Sequence, residues 1–325
     1  MEIKKSTIVS LLFILAVVFN GCTGQLSSTP VTNSAAQSTQ ITAQLIVSEN
    51  FGRNVIFDNE VIVREGTNCL ELLSQKLDVK TAYGGGFVTS IQGIASGYLK
   101  HPVERKDWFL YINGILSNAG GLAYRIRDGD TIHWYYRDWS FRPSASAIIS
   151  DFPSSLKYGY GGINVPLTIW YEVGWHNEAH ELQQALIAMG IKKIFMCESS
   201  QITISEKQTH HLIVIGSDLF DPIREINDNW SRLGLFCRFN KDVLEIYDSN
   251  GNCIHEETSG TGLIYTIQNP FNPTGTGSCQ NTCWVISGTD KDSISGALDT
   301  LMYNWQSFKY FTGAVVNAKG VQPLP

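Results

Sequence analysis

The sequence predicts two domains of different class behind a targeting segment: an α+β domain over residues 41–139 and a three-layer α/β domain over residues 163–325. Three observations predict this. Between 41 and 139, runs alternating apolar and polar residues outnumber the single run with helical spacing, as half-buried strands do. Beyond 163, apolar strand-length runs alternate with helical ones, the pattern of a sheet covered on both faces. Between them, "SFRPSASAIISDFPSSLKYGYGG" (140–162) holds two prolines, several serines and a glycine-rich end, and reads as a linker.

Residues 1–22 are not part of the fold. Lys4 and Lys5 precede the apolar run "TIVSLLFILAVVF", which is too short for a good membrane span, and Asn20-Gly21-Cys22 follows. This is a secretory signal. A cysteine directly after a small residue resembles the lipobox of prokaryotic lipoproteins, although Phe19 stands where leucine is commoner. The reading is lipidation at Cys22, with 23–40, "TGQLSSTPVTNSAAQSTQ", as a flexible tether. The expected location is extracytoplasmic, lipid-anchored to the cell membrane. A net charge of −6, with no basic block, argues against nucleic acid as a partner.

In the first domain "ITAQLIVS" is a strand, and "NVIFDNEVIVREG" reads as two strands around an Asp58-Asn59 turn. Thr67 reads as the N-cap of a helix carrying Leu70, Leu73 and Leu77. Gly84, Gly85 and Gly86 break the chain before a short strand. "WFLYING" is a strand ending in Asn113-Gly114, a tight-hairpin signal. "LAYRIRDGDTIHWYY" reads as a second hairpin turning at Asp128-Gly129-Asp130. In the second domain "PLTIWYEV", "IKKIFMC" and "HHLIVIG" are strands, the last two of the doubly buried kind. A helix runs from Asn177 to Met189, and a second, "DPIREINDNWSRLG", carries Pro222 in its first turn. "LFCRF", "DVLEIYD" and "CIHEE" form a meander. Two further strands precede a helix opened by Asp290, with Ile294, Leu298, Leu301 and Trp305 on one face.

Chemistry is sparse. The paired carboxylates Asp128 and Asp130 invite acid–base or calcium readings, but turns select Asp and Gly anyway, and a solvated tip shifts pKa values little. His176 and His180 share a helix face at metal spacing, yet lack the zinc-protease order and read as solvated helix residues; His210-His211 read as surface residues or a remote third ligand. Gly216-Ser217-Asp218 ends a strand where α/β domains place ligands, without nucleotide or nucleophile-elbow sequence. No catalytic residue and no metal site is therefore assigned, and the chain is not expected to be an enzyme. Once Cys22 is set aside, six cysteines remain in an exported chain; Cys279 with Cys283, and Cys237 with Cys253, are the disulfide candidates. The aromatics stand out. Trp108, Tyr111, Tyr124, Trp134, Tyr135, Tyr136 and Trp139 fall within 32 residues. Alternating strands cannot point all of them into one small core, so some must face solvent or a partner.

Residues 41–138 resemble the C-terminal domain of transcobalamin and intrinsic factor, a family also found on prokaryotic surface proteins. The resemblance rests on Glu65-Gly66-Thr67, "FVTSIQGI", "WFLYING" and "YRIRDGDTIHWYY", in that order and spacing. It implies a β-grasp-like fold. In the vitamin carriers this domain covers one face of cobalamin and a helical domain covers the other; no helical barrel accompanies it here. The second domain resembles α/β segments of S-layer and related envelope proteins in "HHLIVIGSDLFDPI" and "GLIYTIQNPFNPTGTGSCQNTCWVISGTDKDSISGAL". Together these imply a cell-surface ligand-binding module. Its best candidate ligand is a corrinoid, held by Trp108, Tyr111, Asn113, Trp134 and Tyr136; beyond such a bound ligand no cofactor is expected. The alternative is a structural or adhesive envelope protein that binds proteins or glycans.

Overall fold

In the computed structural model, which describes residues 39–143 and 145–324, the chain is mixed α+β, with sheets dominating a few helices. Strand β1 (Gln40–Glu49) ends in a turn at Asn50, Phe51 and Gly52, which have φ of +53°, +57° and +77°. β2 (Asn54–Arg64) returns antiparallel in one piece, so the turn expected at Asp58-Asn59 does not form. Asp58 sits in mid-strand for a tertiary reason: its carboxylate accepts from Gln44, Lys309 and Tyr310. Gly52 is needed at the real turn, because a Cβ there would stand 1.9 Å from the Tyr310 carbonyl oxygen. Asn68 rather than Thr67 caps α1 (Cys69–Lys76), accepting from the Glu71 N–H at 2.8 Å.

β3 (Val79–Ala82), β4 (Phe87–Ile91) and β5 (Ile94–Ala95) form a small antiparallel sheet. β6 (Lys106–Ile112) ends in Asn113-Gly114, both at positive φ as a tight hairpin requires, before β7 (Ile115–Leu116). β8 (Thr131–Asp138) completes a five-stranded sheet in the order β2-β1-β8-β6-β7, parallel to β1 and antiparallel to β6. The second hairpin expected at 122–136 does not form. Its first arm makes a single bridge, Arg125 with Asn68, because β8 is claimed on both sides by strands distant in sequence.

After α2 (Ser154–Tyr158) come β9 (Leu167–Tyr171), α3 (His176–Ala188), β10 (Ile194–Glu198), α4 (Ile204–Thr209), β11 (His211–Ile215) and α5 (Asp221–Asp228). The expected meander follows as β12 (Cys237–Asn240), β13 (Val243–Tyr247) and β14 (Cys253–Glu257). β15 (Gly262–Gln268), β16 (Thr282–Gly288), α6 (Lys291–Tyr303), β17 (Gly313–Asn317) and β18 (Gly320–Leu324) complete the chain. The seven-stranded sheet has the order β10-β9-β11-β16-β15-β17-β18, parallel as far as β16 and antiparallel beyond. Leu182 and Leu186 of α3 and Leu298 and Leu301 of α6 pack on one face. Ile223 and Ile226 of α5, with Leu244 and Ile246 of the meander, pack on the other. β10 is an edge strand with an exposed Phe195, not the doubly buried strand its apolar run suggested.

The stretch 140–162 is packed against both sheets. Ala147, Ile148, Ile149, Phe152 and Leu156 are buried. Its backbone pairs with the first sheet (Leu116 N–H to Ser146 O, Ile148 N–H to Gly114 O) and with the approach to β17 (Ser150 N–H to Phe311 O). The described residues accordingly form one compact unit. Parting the two halves would expose Tyr111, Tyr135 and Ile148, which form one buried cluster, at roughly 2 kcal/mol each. Among the described residues no helix is long and apolar enough to cross a membrane.

Arg142 is the polar anchor of this junction. Its Nε–H donates to Leu235 O at 2.8 Å, and its guanidinium lies 3.7 Å and 4.1 Å from the ring centroids of Phe141 and Trp230. Arg142→Ala is expected to cost about 2–3 kcal/mol by urea unfolding, and Arg142→Lys to recover less than half, lacking the planar face. A change below about 0.5 kcal/mol for the alanine variant would show the anchor to be dispensable.

Candidate ligand-binding cleft

The β6–β8 register decides where the aromatics go. Trp108 faces Tyr136 and Leu110 faces Trp134, so these side chains share the face covered by α1. Tyr111 and Tyr135 take the opposite face, against Ile148. The surplus of rings is thus divided between two cores on opposite sides of one sheet, and the expected exposed-strand positions are corrected: Trp108, Tyr111, Trp134 and Tyr136 are all at most 9% exposed.

Two of the five expected ligand residues line a common cleft, and three do not. Tyr111 is fully buried at the junction, its hydroxyl donating to Ala145 O at 2.7 Å. Asn113 is spent on the hairpin: its Nδ2 donates to Asp130 Oδ1 and Gly159 O, and its Oδ1 accepts from the Thr131 N–H. Tyr136 packs on Trp108 with centroids 5.0 Å apart and donates to Ala95 O. Trp108 and Trp134 remain, as part of the wall of a cleft of about 260 Å³. Its other walls are the Gly85–Val88 and Leu116–Gly121 segments and Leu70 of α1. Trp108 Nε1–H donates to Ile94 O at 3.0 Å. The Trp134 indole N–H is buried and has no acceptor, a deficit of about 1–3 kcal/mol. Gly121 permits this packing, since a Cβ there would lie 2.9 Å from Trp134 Cζ2. Among the described residues no charged side chain lines the cleft.

The glycine-bearing walls were not assigned to a site from sequence. Their signal was present as "YGGGF" and "SNAGG", but glycine runs in loops are also ordinary chain breaks. The second wall is braced from outside the first sheet. Ser117 Oγ lies 2.8 Å from Tyr160 Oη, which also donates to Asn118 Oδ1, and Asn118 Nδ2 reaches Gly277 O at 3.4 Å.

A second constellation was not foreseen. Ser48 Oγ lies 2.7 Å from His133 Nε2, and His133 Nδ1 lies 3.1 Å from Asp151 Oδ1. That is the order of a nucleophilic triad. The Ser48 and His133 side chains are fully buried, however, and Ser150 shares the same carboxylate, so the group pins the junction and offers no path to a substrate.

The remaining candidates resolve separately. Asp128-Gly129-Asp130 is a turn whose two carboxylates differ: Asp128 is exposed as expected, whereas Asp130 is not solvated. Asp130 is 2% exposed and accepts from Asn113, Tyr124 and the Arg127 N–H, and burial holds its pKa above the usual value. His176 contacts the Tyr171 hydroxyl at 2.9 Å. Among the described residues no group of three or more His, Cys, Asp or Glu is placed to hold a metal ion. His211 is not a surface residue: it is buried, accepts the Thr282 N–H at Nδ1, and burial pushes its pKa down to about 3. Ser217 donates through its N–H and hydroxyl to Glu172. Neither expected disulfide is present, and all six described cysteines are free. Cys283 is buried inside β16, while the Cys279 thiol turns to Leu116 O at 3.2 Å. Cys237 is buried in β12 and Cys253 is exposed in β14, so their side chains lie in different environments. Cys22 lies outside the described residues.

Comparison with known proteins adds the following. A family model described as a domain of unknown function (DUF4430) matches residues 66–138, the part that contains both cleft walls. No curated protein matches the chain. Among solved structures, haptocorrin in complex with Cbi aligns at 18% identity and a TM-score of 0.26, over 30% of this chain and 25% of that one. A protein from Ruminococcus gnavus described as a candidate metal-binding protein aligns at 15% identity and a TM-score of 0.24, over 30% of this chain and 97% of its own. The chain therefore spans about a quarter of haptocorrin's length.

Two outcomes are expected from this geometry. Asp130 has a raised pKa, so its contribution to stability is greatest below the ordinary value of 3.8 and declines as pH rises through the folded-state value. The stability difference between the parent and Asp130→Asn should therefore shrink from acid towards neutral pH in denaturant titrations; a pH-independent difference would contradict the buried carboxylate. Among the six described cysteines, Ellman titration of the native fold should find one reactive thiol, Cys253, and the five buried ones only after unfolding.

Proposed function

We propose that the protein is a cell-surface ligand-binding module, held to the membrane through a lipid on Cys22, whose site is the cleft over Trp108 and Trp134. The observation that carries this reading is a cleft lined mostly by apolar side chains and glycines and floored by two tryptophans, one of which has an unused indole donor. Largely apolar pockets with a few polar groups are where small molecules bind. The strand order with α1 packed on one face supports a β-grasp reading of this half, and helices on opposite faces of the second sheet support a three-layer reading of the other.

A corrinoid or similar flat macrocycle is the best candidate ligand. The resemblance of residues 41–138 to the vitamin carriers' C-terminal domain points to it, and so does the cleft's rim. Tyr83 and Leu122, exposed at 81% and 41%, continue the two glycine walls, and the exposed Tyr98 meets Phe87 edge-on at 6.4 Å. Such a rim suits the flat apolar face of a ring too large for the cleft itself. A second reading, an adhesive envelope protein, is favoured by Val173, Ile204 and Leu219, each at least 70% exposed and remote in sequence from the cleft.

Titration with cobinamide or cyanocobalamin, followed by calorimetry and tryptophan fluorescence, should give saturable binding tighter than about 1 mM, or roughly −4 kcal/mol. Trp108→Ala should weaken it at least tenfold. Absence of heat and quenching at that concentration, together with retention of envelope proteins or glycans from native membranes, would replace the corrinoid reading with the adhesive one.

A further inference from the structure

We infer that the cleft receives a neutral arm ending in a carbonyl or carboxamide oxygen, and that the Trp134 Nε1–H is the donor that binds it. This rests on the reading of the cleft as the binding site and names the chemistry it selects. Trp134 is 4% exposed and its N–H has no acceptor, whereas its neighbour Trp108 donates to Ile94 O. The two indoles line the same cleft, so the difference isolates one unused donor there. Nε1 and Cζ2 are both bonded to Cε2, and Cζ2 is the Trp134 atom nearest the Cβ position of Gly121. The benzo edge next to the donor, Cζ2 and Cη2, therefore lies against a glycine of the cleft wall.

The lining decides the charge of the arm. It contains no Lys, Arg or His to pair a carboxylate or phosphate, and no Asp or Glu to pair an amine. An ionic group would be desolvated without compensation, whereas a neutral oxygen exchanges a water hydrogen bond for the indole. The volume decides its size, because about 260 Å³ falls below the usual range for sites that enclose a whole drug-sized molecule. The nitrogen is sealed from solvent, so reaching it requires its cover to yield; of the cleft wall, Gly121, which follows Gly120, lies next to the adjoining Cζ2–Cη2 edge. Glycine at both positions makes that movement sterically cheap.

The test labels the eight tryptophans of the full chain with ¹⁵N on the indole. The Trp134 signal is assigned by Trp134→Phe and, independently, by its nuclear Overhauser contact with Gly121. Propionamide is the probe, titrated to roughly 0.1 M because so small a molecule binds weakly; propionate and propylamine are the charged controls. The expected result is a saturable downfield shift of the Trp134 indole proton with propionamide alone. Propionamide binding, read on the Trp108 signal, should weaken roughly tenfold, about 1.4 kcal/mol, in Trp134→Phe. An unmoved Trp134 signal, or an equal shift with propionate, overturns the inference. Corrinoid binding that leaves Trp134 unmoved overturns it while sparing the proposed function. A propionamide shift without corrinoid binding supports it and removes the corrinoid reading.

Discussion

The rest of the structure depends on one constraint: the β6–β8 pair carries large apolar or aromatic side chains on both faces, so neither face can be left to water. On one side Trp108, Leu110, Trp134 and Tyr136 need α1 and its loops. On the other, Tyr111 and Tyr135 need Ile148 and the segment around it. The second requirement turns 140–162 into packed structure and draws the seven-stranded sheet alongside the first. Polar groups then set the alignment of the halves. Asp58 reaches Lys309 and Tyr310, Tyr135 meets Thr312, and Arg142 is sandwiched between Phe141 and Trp230. Surface ion pairs of the Lys309–Asp58 kind contribute little alone, so alignment falls chiefly to the buried hydrogen bonds and the rings.

The candidate site is where coverage of the first face stops short. α1 is only eight residues long, and beyond it the sheet is roofed by two glycine-bearing segments that supply backbone but little side-chain volume. A cleft over two tryptophans is the consequence, with an indole donor that no described group of the chain reaches. The buried Ser48–His133–Asp151 array behaves in the opposite way. It has the spacing of a catalytic device, but it lies where both faces are sealed, so it holds parts together. Geometry separates function from scaffold here only when read together with access.

The local part of the fold was legible because it rests on local physics. Asn113-Gly114 was readable as a hairpin since few other pairs accept two positive φ angles, and Asp290 as a helix cap since its carboxylate meets the Ser293 N–H within one turn. The errors lie where a distant partner overrides a local preference. Asp58-Asn59 has turn composition, yet it stays extended because Lys309 and Tyr310 need the carboxylate. Two of the five expected ligand residues, Trp108 and Trp134, line the cleft; Tyr111, Asn113 and Tyr136 serve packing or the turn. A strand's periodicity shows that neighbours face opposite ways, but not what covers each side.

By itself, then, the sequence determined most of the strand and helix runs, the tight turn at Asn113-Gly114, and that the aromatic stretch needed more burial than one small core provides. Those properties follow from backbone sterics, periodicity and side-chain volume, all local. Only the tertiary structure decided that the extra burial is supplied by the second half of the chain, that the described cysteines stay apart, and that Trp134, at the cleft, keeps an unused donor. Each of these depends on groups far apart in sequence meeting at contact distance, which no local pattern encodes.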